Sequence, residues 1–161
     1  MNAIQLFLIL FATISLSPTN YVVSQTKVED SYSEMEAQVL KLVNQHRKTI
    51  GLNELQFNEA INTEALKHSK NMASGIVPFS HDGFDGRADR LLSRLDGNAI
   101  AENVASGQTD AESALECWLE SKGHKQNIEG NYNLTGIGIA LGKYGDLYFT
   151  QIFLLNKPIK K

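Results

Sequence analysis

Four short polar clusters carry side chains that could do chemistry and that no helix or strand pattern demands. They are Asn44-Gln45-His46-Arg47, Phe79-Ser80-His81, Ala101-Glu102-Asn103-Val104-Ala105, and the stretch from Trp118 to Ile128 with Glu120, Ser121, His124 and Asn127. His81, Glu102 and His124 stand 21 and 22 residues apart (102 − 81 and 124 − 102), which matches no local metal motif. Brought together by a fold, two imidazoles and a carboxylate would suit Zn²⁺ with an open fourth position, as in hydrolytic zinc sites. Cys117, about two helical turns before His124, is the one thiol; without an activating motif it reads as inert. Because it is alone, no intramolecular disulfide forms, and an intermolecular one stays open. His46 and His68 sit on apolar helical stripes and read as structural histidines, and Trp118 reads as core.

These residues must be positioned by a chain of 161 residues, a length that sets a prior of one domain able to bury a single core. The formal charge of −3 and the lack of a Lys/Arg cluster outside the C-terminal tail argue against nucleic acid as a partner. Residues 1–24 contain no charged side chain, and Ile4 to Leu16 is almost unbroken apolar sequence. That run is too short for a membrane span of about 20 residues but suits a signal peptide, with a cut before Gln25. We therefore expect residues 25–35 as a short leader, 36–155 as the domain and 156–161 as a tail, with no membrane span after cleavage.

Ser33 and Glu36 read as a capping box that opens a helix carrying Met35, Val39, Leu42, Val43 and Ile50, closed by Gly51. Asn58 is an N-cap for a second helix to about Ser74, with the stripe Ile61, Ala65, His68 and Met72. Leu91, Leu92 and Leu95 predict a shorter helix from Arg87 to Leu95. Thr109 and Glu112 suggest a capping box for a helix holding Ala114, Leu115, Trp118 and Leu119. Ile137, Ile139 and Leu141, then Leu147 to Leu154 with apolar residues on both faces, predict two strands joined by a turn at Gly142 to Asp146. Helices followed by an antiparallel hairpin imply an α+β fold. Asn133-Leu134-Thr135 is a glycosylation sequon, meaningful only in a glycosylating host.

The motifs in order, N-x-x-R at 44–47, ALKHSKNMA, FSH, AENVA, W-x-x-S-x-G-H-x-x-N-I, TGIGIA and YFTQIF, resemble the CAP superfamily (cysteine-rich secretory, antigen 5 and pathogenesis-related 1 proteins) over roughly residues 36 to 155. The likeness is to its cysteine-poor bacterial SCP domains. It implies a three-layer α-β-α sandwich with a central antiparallel sheet. It also implies a cleft presenting two His and two Glu, often able to hold a divalent metal. By motif, His81, Glu102 and His124 take three of those places. At the fourth stands Ser121, and its neighbour Glu120 points about 100° away on a helix. Asn44, Arg47, Asn103 and Ser121 are expected as structural support for the cleft.

The resemblance favours a secreted, extracellular or periplasmic binding module for a lipid, small molecule or extracellular protein. Zn²⁺ or another divalent cation would be held weakly by His81 and His124, with Glu102 nearby. A metal-dependent, peptidase-like hydrolase on His81, Glu102 and His124 is the alternative, and a scaffold without chemistry the third reading. A monomer is expected, with a Cys117-linked dimer as the other possibility.

Overall fold

The computed structural model describes residues 18 to 156, with side chains described from residue 31. The elements run α1 (Pro18–Thr49), β1 (Gln56–Phe57), α2 (Glu59–Ala73), α3 (Phe84–Arg94), β2 (Gly97–Ser106), α4 (Ala111–Glu120), α5 (Lys122–Ile128), β3 (Leu134–Leu141) and β4 (Leu147–Asn156). The strands form one sheet in the order β1-β3-β4-β2. β3 and β4 form the expected antiparallel hairpin, β2 adds an antiparallel pairing to the far side of β4, and the two-residue β1 adds a parallel pairing to the start of β3.

Two apolar clusters on opposite faces make the three layers. On one face, Val39 and Val43 of α1 and Ala114 and Trp118 of α4 pack on Ile137, Ile139, Phe149 and Phe153. On the other, Ile61 and Ala65 of α2 and Leu91 of α3 pack on Ile152 and Leu154. Strand alternation explains the split, since neighbouring residues of β4 point to opposite faces and both are covered by helices. Each large side chain so buried contributes roughly 1.5–3 kcal/mol.

The G-I-G-I run of β3 has a steric origin. A Cβ built on Gly136 or Gly138 would overlap the α2 backbone at Ile61–Asn62 or Ala65–Leu66. The helix thus rests directly on strand backbone. Ser69 Oγ cements this contact at 2.8 Å from the Gly138 carbonyl and 2.8 Å from Thr150 Oγ1.

Several expected boundaries move. Residues 25–35 are no separate leader but part of α1, and Ser33 lies inside that helix rather than at its cap. Tyr32 and Met35 pack against the core, which makes continuation favourable there. Residues 1–17, most of the expected signal segment, and 157–161 of the tail lie outside the described residues. α3 starts three residues early, because Gly83 adopts φ 73° and turns the chain into the helix. The α4 cap is Asp110 with Ser113, not Thr109 with Glu112. A carboxylate at the N-cap accepts the Ser113 amide at 2.8 Å, while Thr109 is left to donate to Asp110. Ser121 breaks the fourth helix, so that His124 sits on a helix of its own, α5. The turn at Gly142 to Asp146 closes the β3–β4 hairpin, with the Gly142 amide 2.8 Å from the Asp146 carbonyl.

Gly138→Ala is expected to destabilise the protein by about 2 kcal/mol or more, because the methyl group has only rigid backbone to push against. Urea unfolding monitored by circular dichroism measures this; a loss below about 0.5 kcal/mol would contradict the backbone contact.

Candidate functional site

Glu102 lies at the middle of β2, opposite Ile152 of β4. Its side chain is 1% exposed, a position where an unpaired carboxylate would be costly. The cation comes from α3. Arg87 Nε donates to Glu102 Oε2 at 2.9 Å and Nη2 to Oε1 at 2.8 Å, a two-point clamp. Arg87 Nη1 donates to the Asp82 carbonyl at 2.7 Å, which ties the loop before α3 to the same guanidinium.

That loop carries His81. Its Nδ1 is 2.9 Å from Glu102 Oε1, and its ring is 49% exposed. A clamped carboxylate can only accept, so His81 presents a protonated Nδ1 to Glu102. His68 of α2, 1% exposed, reinforces the loop by placing Nε2 2.9 Å from the Ser80 carbonyl. A carbonyl also only accepts, so His68 is the Nε2–H tautomer. Burial holds its pKa below the usual imidazole value; the Ser80 carbonyl opposes this and the Arg87 charge adds to it.

His124 reaches the same edge of the sheet from the other layer. Glu102 and Asn103 are neighbours on β2, so their side chains point to opposite faces. Asn103 Nδ2 donates to the His124 carbonyl at 3.0 Å, and its Oδ1 accepts from Asn127 Nδ2 at 2.8 Å, pinning α5. Asn127 Nδ2 also reaches the Glu102 carbonyl at 3.3 Å, and Trp118 Nε1 the Val104 carbonyl at 3.1 Å, so α4 and α5 cover the free edge of β2. Burial first, and the charge of His81 second, lower the pKa of His124. The Nδ1 of His124 is buried without a hydrogen-bond partner among the described residues.

The other expected residues act at a distance. Arg47, 2% exposed, donates to the carbonyls of Asn53, Ile128, Gly130 and Tyr132 and so fixes the end of α5. Asn44 pairs with Leu55 through both amide atoms, at 3.0 and 2.8 Å. His46, half-buried on α1 after Leu42 and Val43, pairs with Glu129 at 2.9 Å, the structural role expected of it. Glu120 is exposed, and the Ser121 hydroxyl caps nothing, so neither brings a second carboxylate to His81. Asn133 of the sequon is occupied by Asn156 at 2.7 Å. Cys117 is half-exposed on α4.

Glu102 is committed elsewhere: Oε1 accepts from Arg87 and faces His81 Nδ1, Oε2 accepts from Arg87, and the side chain is closed to solvent. Among the described residues no group of three or more His, Cys, Asp or Glu could hold a metal ion. What fits metal chemistry is narrower: the imidazoles of His81, whose Nδ1 faces a carboxylate, and of His124. Arg87 went unnoticed in the sequence as a site residue. The signal was there, for Arg87 shares a helical face with Leu91, and a cation on a core face requires a buried anion.

The layers, the strand order and the histidine–carboxylate cluster at the β2 edge define a class, and the family profile of the cysteine-rich secretory protein (CAP) family matches residues 40–153. The chain belongs to that family. It is 31% identical over 132 residues to the uncharacterized protein YkwD of Bacillus subtilis (strain 168), covering 80% of this chain and 50% of YkwD. The chain thus spans half of YkwD, and it spans 38% of the uncharacterized membrane protein YlbC of the same organism. Among solved structures, an extracellular protein containing a SCP domain from Bacillus anthracis str. Ames superposes with TM-score 0.67 at 26% identity, over 89% of this chain and 45% of that one. An outer surface protein from Borrelia burgdorferi shares the fold at TM-score 0.67 and 18% identity, over 77% of this chain and 94% of its own.

Arg87→Met should cost about 3–5 kcal/mol by stranding a buried carboxylate, whereas Arg87→Met/Glu102→Leu should cost less than the single change; denaturant unfolding compares them. Because the folded protein binds the His68 proton less readily than the unfolded chain, stability is full above about pH 6.5 and lost as pH falls below it. His124 acts in the same sense. Melting temperature should therefore drop on acidification towards pH 5, and His68→Gln, which keeps a donor for Ser80, should flatten the slope; an unchanged slope would contradict this.

Proposed function

We propose that this CAP domain is an exported binding module that presents His81 and His124 at the β2 edge to a ligand or an extracellular partner. The observation that carries the reading is the state of Glu102. A general base must be reached by the water it activates, and here a guanidinium and an imidazole hydrogen-bond to a carboxylate that is 1% exposed. Glu102 is thus a device for aiming His81, which speaks for recognition over hydrolysis. Export is supported by the apolar run Ile4 to Leu16, and no described helix is long and apolar enough to cross a membrane.

A weakly held divalent cation is compatible with this reading through the two imidazoles alone. A histidine whose second nitrogen donates to a carboxylate is the usual form of a metal ligand, and Glu102 would orient His81 in that sense. A bound Zn²⁺ would supply a Lewis-acidic anchor for an oxygen or nitrogen of the ligand.

Zinc titration calorimetry on the protein tests the pair. Binding should vanish in His81→Ala/His124→Ala and weaken by about tenfold to a hundredfold in Glu102→Gln, the effect of losing an orienting partner. Zinc binding untouched by the histidine changes would remove His81 and His124 from the site. A peptidase activity lost in folded His124→Ala would establish the hydrolase reading instead.

A further inference from the structure

The loop between α2 and α3 shows apolar side chains to water. Ile76 is 72% and Phe79 54% exposed, Pro78 between them is exposed as well, and the Phe79 ring meets Tyr148 edge to face with centroids 6.5 Å apart. A lone exposed apolar residue is ordinary, but a contiguous patch marks an interaction surface. The loop is not slack. The Asn71 carbonyl accepts from the amides of Ile76 and Val77 at 2.9 and 3.3 Å, and His68 Nε2 lies 2.9 Å from the Ser80 carbonyl. Ser80 Oγ donates to the Pro78 carbonyl at 3.2 Å and accepts from the Asp82 amide at 3.1 Å. Tied in this way, the patch is displayed in one shape, which lowers the ordering cost of binding.

The residues that follow give this surface its sign. Asp82, Asp85 and Asp89 are exposed, and Asp85 and Asp89 stand one turn apart on α3, where like charges repel. Asp85 gains from the helix N-terminus, but Asp89 lies beyond the first turn and does not. The neighbouring cations are spent elsewhere. Arg87 clamps Glu102, Arg90 donates twice to Glu64 at 2.9 and 2.8 Å, and Lys67 of α2 also acts on Glu64. Among the described residues none of the three aspartates forms an ion pair. The apolar loop is thus bordered by carboxylates whose charge nothing nearby answers.

We infer that residues 76–89 form the docking surface for a cationic amphipathic polypeptide, its apolar side chains on Ile76 and Phe79 and its Lys or Arg residues at Asp82, Asp85 and Asp89. The inference rests on the binding-module reading and names the partner's chemistry; His81, 49% exposed, lies between the apolar and the acidic parts. With Ile76 and Phe79 more than half exposed, this is a surface rather than a cleft, which suits a polypeptide over a small molecule. The aspartates set it against the anionic face of a lipid bilayer.

Amide chemical-shift titration of the full chain with two end-capped peptides, Lys-Leu-Trp-Lys-Leu-Lys and the same sequence with Glu at every Lys, tests this. The lysine peptide should shift the amides of residues 76–89 and bind at least about tenfold tighter than the glutamate peptide at low salt. Asp85→Asn/Asp89→Asn should bring the two within about threefold. Ile76→Ser/Phe79→Ser should abolish binding of both, while the melting temperature and the zinc titration stay as in the parent. Equal or tighter binding of the glutamate peptide, shifts confined to other residues, or binding that survives Ile76→Ser/Phe79→Ser would overturn the proposal. Pelleting with phosphatidylcholine vesicles that Ile76→Ser/Phe79→Ser abolishes would make the patch a membrane contact and overturn it equally. Failure of both peptides on a protein that still binds zinc would remove this surface and leave the histidine site standing; peptide binding without zinc binding would do the reverse.

Discussion

A carboxylate in the middle of a covered strand must be given a cation or it will not stay charged, and the Arg87–Glu102 clamp meets that demand in this fold. The consequences spread outward from it. Arg87 fixes α3 against β2, and through the Asp82 carbonyl it also fixes the loop before α3. His68 holds the same loop at Ser80 from below. His81, half in solvent, is then aimed by the one oxygen it shares with the guanidinium. Remove the ion pair and the loop keeps its backbone ties but loses the reason for its orientation.

The two edges of the sheet are managed by the same physical means and to different ends. At β2, Asn127 and Trp118 satisfy edge carbonyls and tie α5 and α4 to that edge. At β3, Asn62 and Glu36 satisfy edge amides and leave an apolar groove beside them. In both places side chains from helices stand where a further strand would. The polar groups that close an edge are also the polar groups any ligand there would meet.

Much of this was legible in the residues. The apolar period of α2, the Asn58 cap and the both-faces-apolar β4 identified elements that the fold contains, and the ordered motifs pointed to the CAP family. β2 was hidden, because its centre is Ala-Glu-Asn-Val rather than an alternating apolar run; the residues that serve the site broke the strand signature. β1 was too short to register. The Asp110 cap was missed for a neighbouring Thr. His81 and Glu102 stood out as residue types, but their meeting is a tertiary fact: it depends on an arginine outside every histidine motif, placed by the left-handed turn at Gly83. Local spacing carries no trace of that convergence.

A clamped Glu102 dictates which nitrogen of His81 carries the proton, and on this the reading of the whole cluster turns. Long-range ¹H–¹⁵N correlation of the imidazole side chains near neutral pH reads it directly. His81 should be the Nδ1–H tautomer, the minor form of a free imidazole, and should revert to the Nε2–H form in Glu102→Leu/Arg87→Met. A His81 ring that is Nε2–H in the parent protein, or that shows the averaged signals of a freely exchanging imidazole, would contradict it.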